Sequence, residues 1–366
     1  MIFSCEKSIL QEAIDIVQKA SSTKTTYPIL EGILIEASDN KVKLTATDLD
    51  FGIETKIDAQ VKNTGAIVLN SKLLGEFIRK LPNDQVTFKM VDNEVTITCQ
   101  KTEIVIIGNE SSDFPMLPSI NENAMYELSQ YMLKNMIRQT IFAVSTDDTR
   151  PILSGVLFEV KKSKLSFVAL DGYRLALSTA DIENENEISA VIPGKTLGEI
   201  SKILLPSDDM VKITFTPNHI LFNLGSTRII SKLLNGEFIN YRQILPDEYK
   251  LRAKVKVNDL MDSIERASLV GREGKTNLVK LEIHDDHMGI TANSQMGKVY
   301  EEINMESNGD DIKIAFNSKY LMDVLRIIDS EEIYLEFTSP VSPCIIKKSD
   351  SQDYIYLVLP VRLVDN

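Results

Sequence analysis

Two blocks of sequence recur three times in one register, and that repetition limits the fold more than any other feature of the chain. Around Lys72 the sequence reads SKLLGEFIRKL, around Lys195 GKTLGEISKIL and around Lys319 SKYLMDVLRII, at steps of 123 and 124 residues. Gly32 opens GILIEA, Gly155 opens GVLFEV and Leu278 opens LVKLEI, and both of those steps are 123. TATD (Thr45 to Asp48), VALD (Val168 to Asp171) and TANS (Thr291 to Ser294) follow in the same spacing. A period of this length is one domain rather than one unit of a solenoid. Three like domains are therefore expected at 1–120, 121–246 and 247–366, with proline-marked breaks after DFPMLP and ILPDE.

Each repeat reads in one order. A helical stretch comes first (Ile9 to Ala20, Leu133 to Val144, Asp259 to Leu269), followed by alternating strand pairs such as Val42 to Thr45. The Lys-led helix comes next, and then further strands, such as Val86 to Met90 and Glu94 to Cys99 around the turn Asp92-Asn93. Strands that adjoin in hairpin-like pairs and outnumber the helices predict an α+β class with mainly antiparallel sheets.

The second helix of each repeat carries two faces. Leu74, Phe77 and Leu81 form an apolar stripe, as do Leu197, Ile200 and Leu204, and Leu321, Val324 and Ile328. Opposite each stripe lies a cation pair at i, i+7: Lys72 and Arg79, Lys195 and Lys202, Lys319 and Arg326. A solvated helix exterior accounts for any one such pair. Three of them, in a chain whose 53 acidic against 40 basic residues give −13, point to a shared basic surface that faces phosphate. Lys24 adds to that surface from the loop after the first helix. The matching loop of the second repeat, Ser145 to Asp148, is acidic, and Arg150 is its one candidate cation. The overall acidity argues against a protein that wraps DNA in broad positive surface.

Chemical motifs are sparse. GREGKT (Gly271 to Thr276) is a clipped phosphate loop, because Leu269 stands where the motif needs glycine. HDDH (His284 to His287) lies between strand-like segments and reads as an exposed turn rather than a metal cluster. His219 has no Cys or His near it in sequence, and Asp171 in LDGYRLA reads as a turn residue. The three cysteines Cys5, Cys99 and Cys344 are odd in number and widely spaced, with neither zinc-type nor disulfide spacing. Neither catalysis nor a cofactor is expected. No run of eighteen apolar residues occurs, and Glu6, Lys7, Glu12 and Asp15 interrupt the first segment, so a reducing cytoplasm is the simplest home.

Several strings together make the chain resemble the bacterial DNA polymerase III beta-subunit family, the DNA sliding clamps. They are TTYPILEGI, TRPILSG, LDGYRLA, GEFINYRQILP, FNSKYLMDVL, SPVSP and YLVLPVRL, and they span nearly the whole chain. The resemblance implies a non-catalytic processivity factor: a head-to-tail homodimeric ring of six clamp domains, two helices per domain lining the hole and antiparallel sheets outside. A clamp loader opens the ring around double-stranded DNA. The polymerase alpha subunit and repair proteins then dock by short linear motifs, in a cytoplasmic, nucleoid-associated setting. Sliding requires phosphate contacts that exchange readily, without base readout.

Carried across string by string, the family's partner-peptide pocket comprises Leu153, Leu170, Gly172, Tyr173, Arg174, Leu175, Ile239, Ile244, Tyr320, Val341, Pro343, Val358, Leu359, Pro360, Val361 and Arg362. From the sequence alone, Leu170, Leu175, Ile244 and Val358 read as plain core. Ile239 stands where the family often has Pro, Gln243 where some members have Arg, and Val364 to Asn366 extend past the usual ending. The dimer contact is expected to join Phe77, Ile104 and Ile106 of one subunit to Leu269 and Val270 of the other. Lys101 and Glu301-Glu302 would flank it, and Glu103 replaces the family's basic partner. Two other classes compete: a DNA-modifying enzyme on a repeated scaffold, which would need a metal or nucleotide, and an acidic scaffold that binds proteins without encircling DNA.

Overall fold

Asn70 and Asn317 show how the repeated sequence becomes repeated structure. Each side chain accepts a hydrogen bond from the first turn of the following helix, Asn70 from Leu73 N and Asn317 from Lys319 N, both at 3.0 Å. The computed structural model describes residues 1–22, 25–121, 125–147, 149–273, 277–295 and 297–362, with the backbone alone at 271–273. Its α-helices are α1 (Lys7–Val17), α2 (Ser71–Lys80), α3 (Gln130–Thr140), α4 (Gly194–Ile203), α5 (Val257–Glu273) and α6 (Ser318–Leu325). Every repeat thus holds two helices separated by strands, and the strand pairings are antiparallel.

The apolar stripes bury as amphipathic periodicity requires, with one correction. Leu197, Ile200 and Leu204 are buried, as are Leu321, Val324 and Ile328. On α2, Leu74 and Leu81 are buried, but Phe77 is only half-buried and Ile78 takes the inner position. Gly75 explains the rotation: a Cβ there would meet the Gln18 side chain at 2.4 Å, so the inner face of α2 is centred on the Leu74-Gly75-Ile78 side.

Each repeat builds two half-sheets of four strands. The first is headed by the middle strand of the repeat: Phe51–Asp58, Arg174–Asp181 or Gly297–Asn304. The second ends with the last strand of the repeat: Thr102–Ile107, Thr227–Lys232 or Tyr354–Val358. The middle strand of repeat one pairs with the last strand of repeat two, giving one eight-stranded sheet. The middle strand of repeat two pairs with the last strand of repeat three, giving a nine-stranded sheet that also recruits Glu306–Asn308. Two half-sheets remain: a five-stranded one ending at Thr102–Ile107 and a four-stranded one edged by Gly297–Asn304.

Because the sheets run across repeat boundaries, the chain packs as two compact units that cut through repeat two. One holds residues 1–133 and 199–233, the other 134–198 and 234–366. At the joint inside the first unit, Ile53 lies opposite Ile229 and both are fully buried. Truncating Ile229 to Ala is expected to cost about 2–5 kcal/mol, seen as a lower urea midpoint of the transition that unfolds this unit. A midpoint within experimental error of the native chain would show that the joint is not a packed core.

Candidate functional site

Arg174 organises the surface at the joint between the second and third repeats. It opens the middle strand of repeat two, where its backbone pairs with Val358, and only 8% of it is exposed. Its Nε donates to Asp171 Oδ2 at 3.0 Å, one terminal nitrogen to Asp323 Oδ2 at 2.5 Å and the other to Phe142 O at 2.7 Å. The guanidinium also lies 4.6 Å from the centre of the Tyr320 ring and 5.4 Å from that of Phe142. Burial alone would weaken its charge. The Asp323 and Asp171 carboxylates outweigh that effect and raise its pKa.

Asp171 is the turn residue that its sequence context implied. Its Oδ1 accepts from Tyr173 N at 2.9 Å and Arg174 N at 3.1 Å, and Gly172 between them adopts φ +91°. The turn leaves Tyr173 61% exposed, with its ring stacked on Tyr320 at 6.2 Å. Leu359 N donates to Tyr173 O at 2.8 Å and Val361 N to Ala315 O at 2.8 Å, which pins the C-terminal segment beside the turn.

Beneath lies a continuous aliphatic floor: Leu153, Leu170, Leu175, Leu177, Ile345 and Leu357 belong to one buried cluster that also includes Tyr241. Around it, Ile239, Ile244, Val341, Leu359 and Val361 are exposed apolar residues, and Pro343 and Pro360 are half-buried. Val358 is fully buried, and Arg362 is exposed. Apolar floor, exposed apolar rim and one locked charge make a surface suited to an extended segment with hydrophobic anchors. Arg174 acts here as a brace whose partners are already inside the chain. The supporting residues Asp323, Phe142, Phe238 and Leu245 escaped sequence reasoning, since nothing local marks them as neighbours of Arg174 or the floor.

The helix cations are all exposed. Arg79 meets Asp15 at 3.2 Å, Lys202 meets Glu199 at 2.8 Å and Arg326 meets Glu265 at 3.1 Å. Lys72, Lys195 and Lys319 are exposed, as is Arg150, whose N–H bonds Asp147 O at 3.5 Å. Lys24 lies outside the described residues, as do Gly274 to Thr276 of GREGKT and Val364 to Asn366. Arg138, exposed on α3, is a further cation, visible in hindsight because it is offset from buried Leu133, Met136 and Ile137.

At the expected dimer contact, Ile104 is half-buried and Leu269 is 59% exposed, with Val270 intermediate. Ile106 is 4% exposed, its side chain packed within its own domain, while Val105 and Ile107 point out on the other face of the strand. Glu301 is held by two hydrogen bonds from Arg266, at 2.8 and 2.7 Å, and Glu302 accepts from Tyr300 at 2.9 Å. His284 and His287 sit in a turn with stacked rings, each against its own carboxylate, Asp311 and Asp286, at 2.7 Å. Among the described residues, no three His, Cys, Asp or Glu side chains stand close enough to share a metal ion. No helix of the described residues is long and apolar enough to cross a membrane.

Removing Arg174 would leave two carboxylates without their buried counter-charge. Arg174→Ala is expected to cost about 3–5 kcal/mol of unfolding free energy, whereas Arg174→Met combined with Asp171→Asn and Asp323→Asn should cost clearly less. Equal losses in the two variants would show that packing, not charge, is the role of Arg174.

Three family descriptions match in tandem: DNA polymerase III beta subunit N-terminal domain over residues 1–118, central domain over 127–240 and C-terminal domain over 242–362. The chain is 37% identical to the beta sliding clamp of Bacillus subtilis over 376 residues, covering 99% of this chain and 100% of that one. It is 36% identical to the beta sliding clamp of Staphylococcus epidermidis over 376 residues, covering 99% of both. The crystal structure of the Bacillus subtilis DNA polymerase sliding clamp superposes with a TM-score of 0.96 at 36% identity, covering 100% of both chains. A putative DNA polymerase III beta subunit from Eubacterium rectale gives 0.94 at 39%, covering 99% of this chain and 100% of that one. The chain belongs to the DNA polymerase III beta-subunit family, the non-catalytic sliding clamps that serve as polymerase processivity factors.

Proposed function

We propose that two copies of this chain close head to tail into a ring around duplex DNA, and that the ring tethers polymerase through the surface around Tyr173. The two leftover half-sheets carry the reading. Two joints within the chain use the same pairing, middle strand against the last strand of the next repeat, and both have one register. Thr55 lies opposite Thr227, and Ser178 opposite Tyr354. Thr55, Ser178 and Glu301 are equivalent at the 123-residue step. Following the hairpin registers from the strand before each first helix makes Thr102, Thr227 and Tyr354 equivalent as well.

Carried to the two leftover edges, the same register gives a third joint. Thr102 of one subunit faces Glu301 of the other, Ile104 faces Val299, and Ile106 faces Gly297. One residue further, Lys101 faces Glu302. Glu103 becomes the diagonal neighbour of Lys298, which supplies an opposite charge where the family's basic residue is missing. A head-to-tail contact that repeats an internal joint closes a ring instead of extending a fibre when its rotation matches. Three repeats per chain and two chains then give six domains, the boundaries lying near residues 120 and 246.

Lys72, Arg79, Arg138, Arg150, Lys195, Lys202, Lys319 and Arg326, with Lys24, supply sequence-independent attraction to phosphate. Their carboxylate neighbours keep that attraction weak enough to slide. Partners dock on the second joint: polymerase alpha subunit, clamp loader and repair proteins insert hydrophobic anchors over the Leu170 and Leu175 floor. A clamp from Pseudomonas aeruginosa has been crystallised bound to griselimycin, which offers a ready competitor for mapping ligands on this chain.

Directly opposed residues of an antiparallel pair are close enough for a disulfide. Ile104→Cys with Val299→Cys should cross-link under oxidation to a species of twice the chain mass, and Ile104→Asp should yield monomers in sedimentation. No cross-link in the double variant, with the dimer retained in Ile104→Asp, would contradict the assigned joint. Glu at Lys72, Arg79, Lys195 and Lys202 together should reduce loading on primed DNA at least tenfold while dimerisation persists; native loading would remove the helix cations from the DNA surface. A labelled C-terminal peptide of a bacterial polymerase III alpha subunit should bind the native chain, and Tyr173→Ala with Leu359→Ala should weaken it at least tenfold. Unchanged affinity would place the peptide elsewhere.

A further inference from the structure

The first joint of the chain holds a cavity of about 120 Å³ that is the repeat image of the proposed peptide surface. Of its lining residues, Thr47, Leu49 and Gly52 stand 123 residues before Leu170, Gly172 and Leu175. Ile230 and Lys232 hold the positions of Leu357 and Leu359, as the registers of the two joints require. The linkers correspond too: Phe114 packs with Leu34 and Val68, and Phe238 packs against the cluster that holds their repeat counterparts Leu157 and Val191, which places Pro115 at the position of Ile239.

The two sites differ in what covers the floor. At the second joint Leu175 supplies the floor from below. At the first, glycine stands there, and Leu117 of the linker fills the gap from above: a Cβ on Gly52 would lie 2.4 Å from Leu117 Cδ2. Leu117 packs with Leu221, Ile230 and Ile120, and the first two of these are the counterparts of Ile345 and Leu357 in the other floor. Residues 115–120 form no hydrogen bond with another described residue, so side-chain seating alone holds the segment. Met116 beside it is 81% exposed. Leu49 at the rim is half exposed and adopts φ +80°, the left-handed conformation that its counterpart Gly172 takes without strain.

We infer that the first joint is a second peptide groove, occupied in cis by the chain's own segment 115–118 with Leu117 as its aliphatic anchor. Its ligand class is a short extended peptide carrying one aliphatic anchor. The rim is more polar than at the second joint, with the Asp50–Lys232 pair at 2.7 Å and His219 where Tyr173, Leu359 and Pro343 stand. Each chain then presents one open groove and one self-occupied groove, and a partner able to displace Leu117 gains a second hold on the same subunit. The comparison rests on the reading of the second joint as a peptide site, but the occupant of the first joint is visible in its own right.

The test uses the full-length chain with labelled Ile and Leu methyl groups and the synthetic octapeptide DFPMLPSI, residues 113–120, as probe. In Leu117→Ala the octapeptide should shift the Ile230 and Leu221 methyl signals saturably, at millimolar concentration or below, and adding Gly52→Leu should abolish the shifts. In the native chain the same signals should require at least tenfold more peptide, because Leu117 already holds the seat. No saturable shift at Ile230 in folded Leu117→Ala overturns the inference. An independent readout needs no plug removal: Gly52→Leu in the otherwise native chain should expel Leu117 and speed thermolysin cleavage within 113–120 at least tenfold, and unchanged cleavage contradicts the seating. The polymerase tail peptide on the native chain reports on the second joint alone, so failure of that reading and failure of this one are separately visible.

Discussion

Main-chain pairing across repeat boundaries is the constraint on which the rest of this protein depends. A β-strand at the edge of a sheet presents unpaired N–H and C=O groups that must be paired, covered or blunted. This chain makes two such pairings internally, Phe51–Asp58 with Thr227–Lys232 and Arg174–Asp181 with Tyr354–Val358. The third equivalent pair is left open at Thr102–Ile107 and Gly297–Asn304. Sheet continuity also explains why the compact units divide repeat two instead of separating the repeats. The proposed docking surfaces follow from the same joints, because each joint brings a middle-strand turn, a last strand and an inter-repeat linker together.

Charge is arranged with comparable restraint. A net charge of −13 opposes broad attraction of the chain to DNA. The helix cations are exposed, yet Arg79, Lys202 and Arg326 each have a carboxylate within 3.2 Å. Exposed pairs of this kind are worth little to stability. What they do is lower the local positive potential, and a molecule that must move along its ligand needs contacts that break easily. Arg174 is the opposite case: buried and held by two carboxylates and a carbonyl, it fixes a wall and is not free to sample partners.

Much of this architecture was legible in the sequence because it is written three times. The repeat of GILIEA-type and SKLL-type blocks set the number of domains, and the helix stripes and hairpin turns set their content. What escaped was of two kinds. Phe77 was placed inward by a seven-residue count, whereas Gly75 lets α2 pack on a neighbouring face and puts Ile78 inside. Ile106 is expected at the subunit contact by resemblance alone, and its burial comes from strand alternation and the domain's own core. Both outcomes depend on contacts distant in sequence. The proposed peptide surface rests on resemblance, since Leu170 and Leu175 read locally as ordinary core; their distinction is that Ile239, Ile244 and Val341 surround them in the open.

A clamp ring holds DNA by enclosing it, with no tight grip on the duplex. The most direct measurement loads labelled protein with its clamp loader onto nicked circular plasmid, removes free protein by gel filtration, and cuts the plasmid once with a restriction enzyme. Enclosure predicts that the protein stays with the circle and is released within minutes of linearisation, unless the new ends are blocked by bulky proteins. Equal retention on circular and linear DNA would mean that the chain binds by surface contact, and the ring account would be wrong.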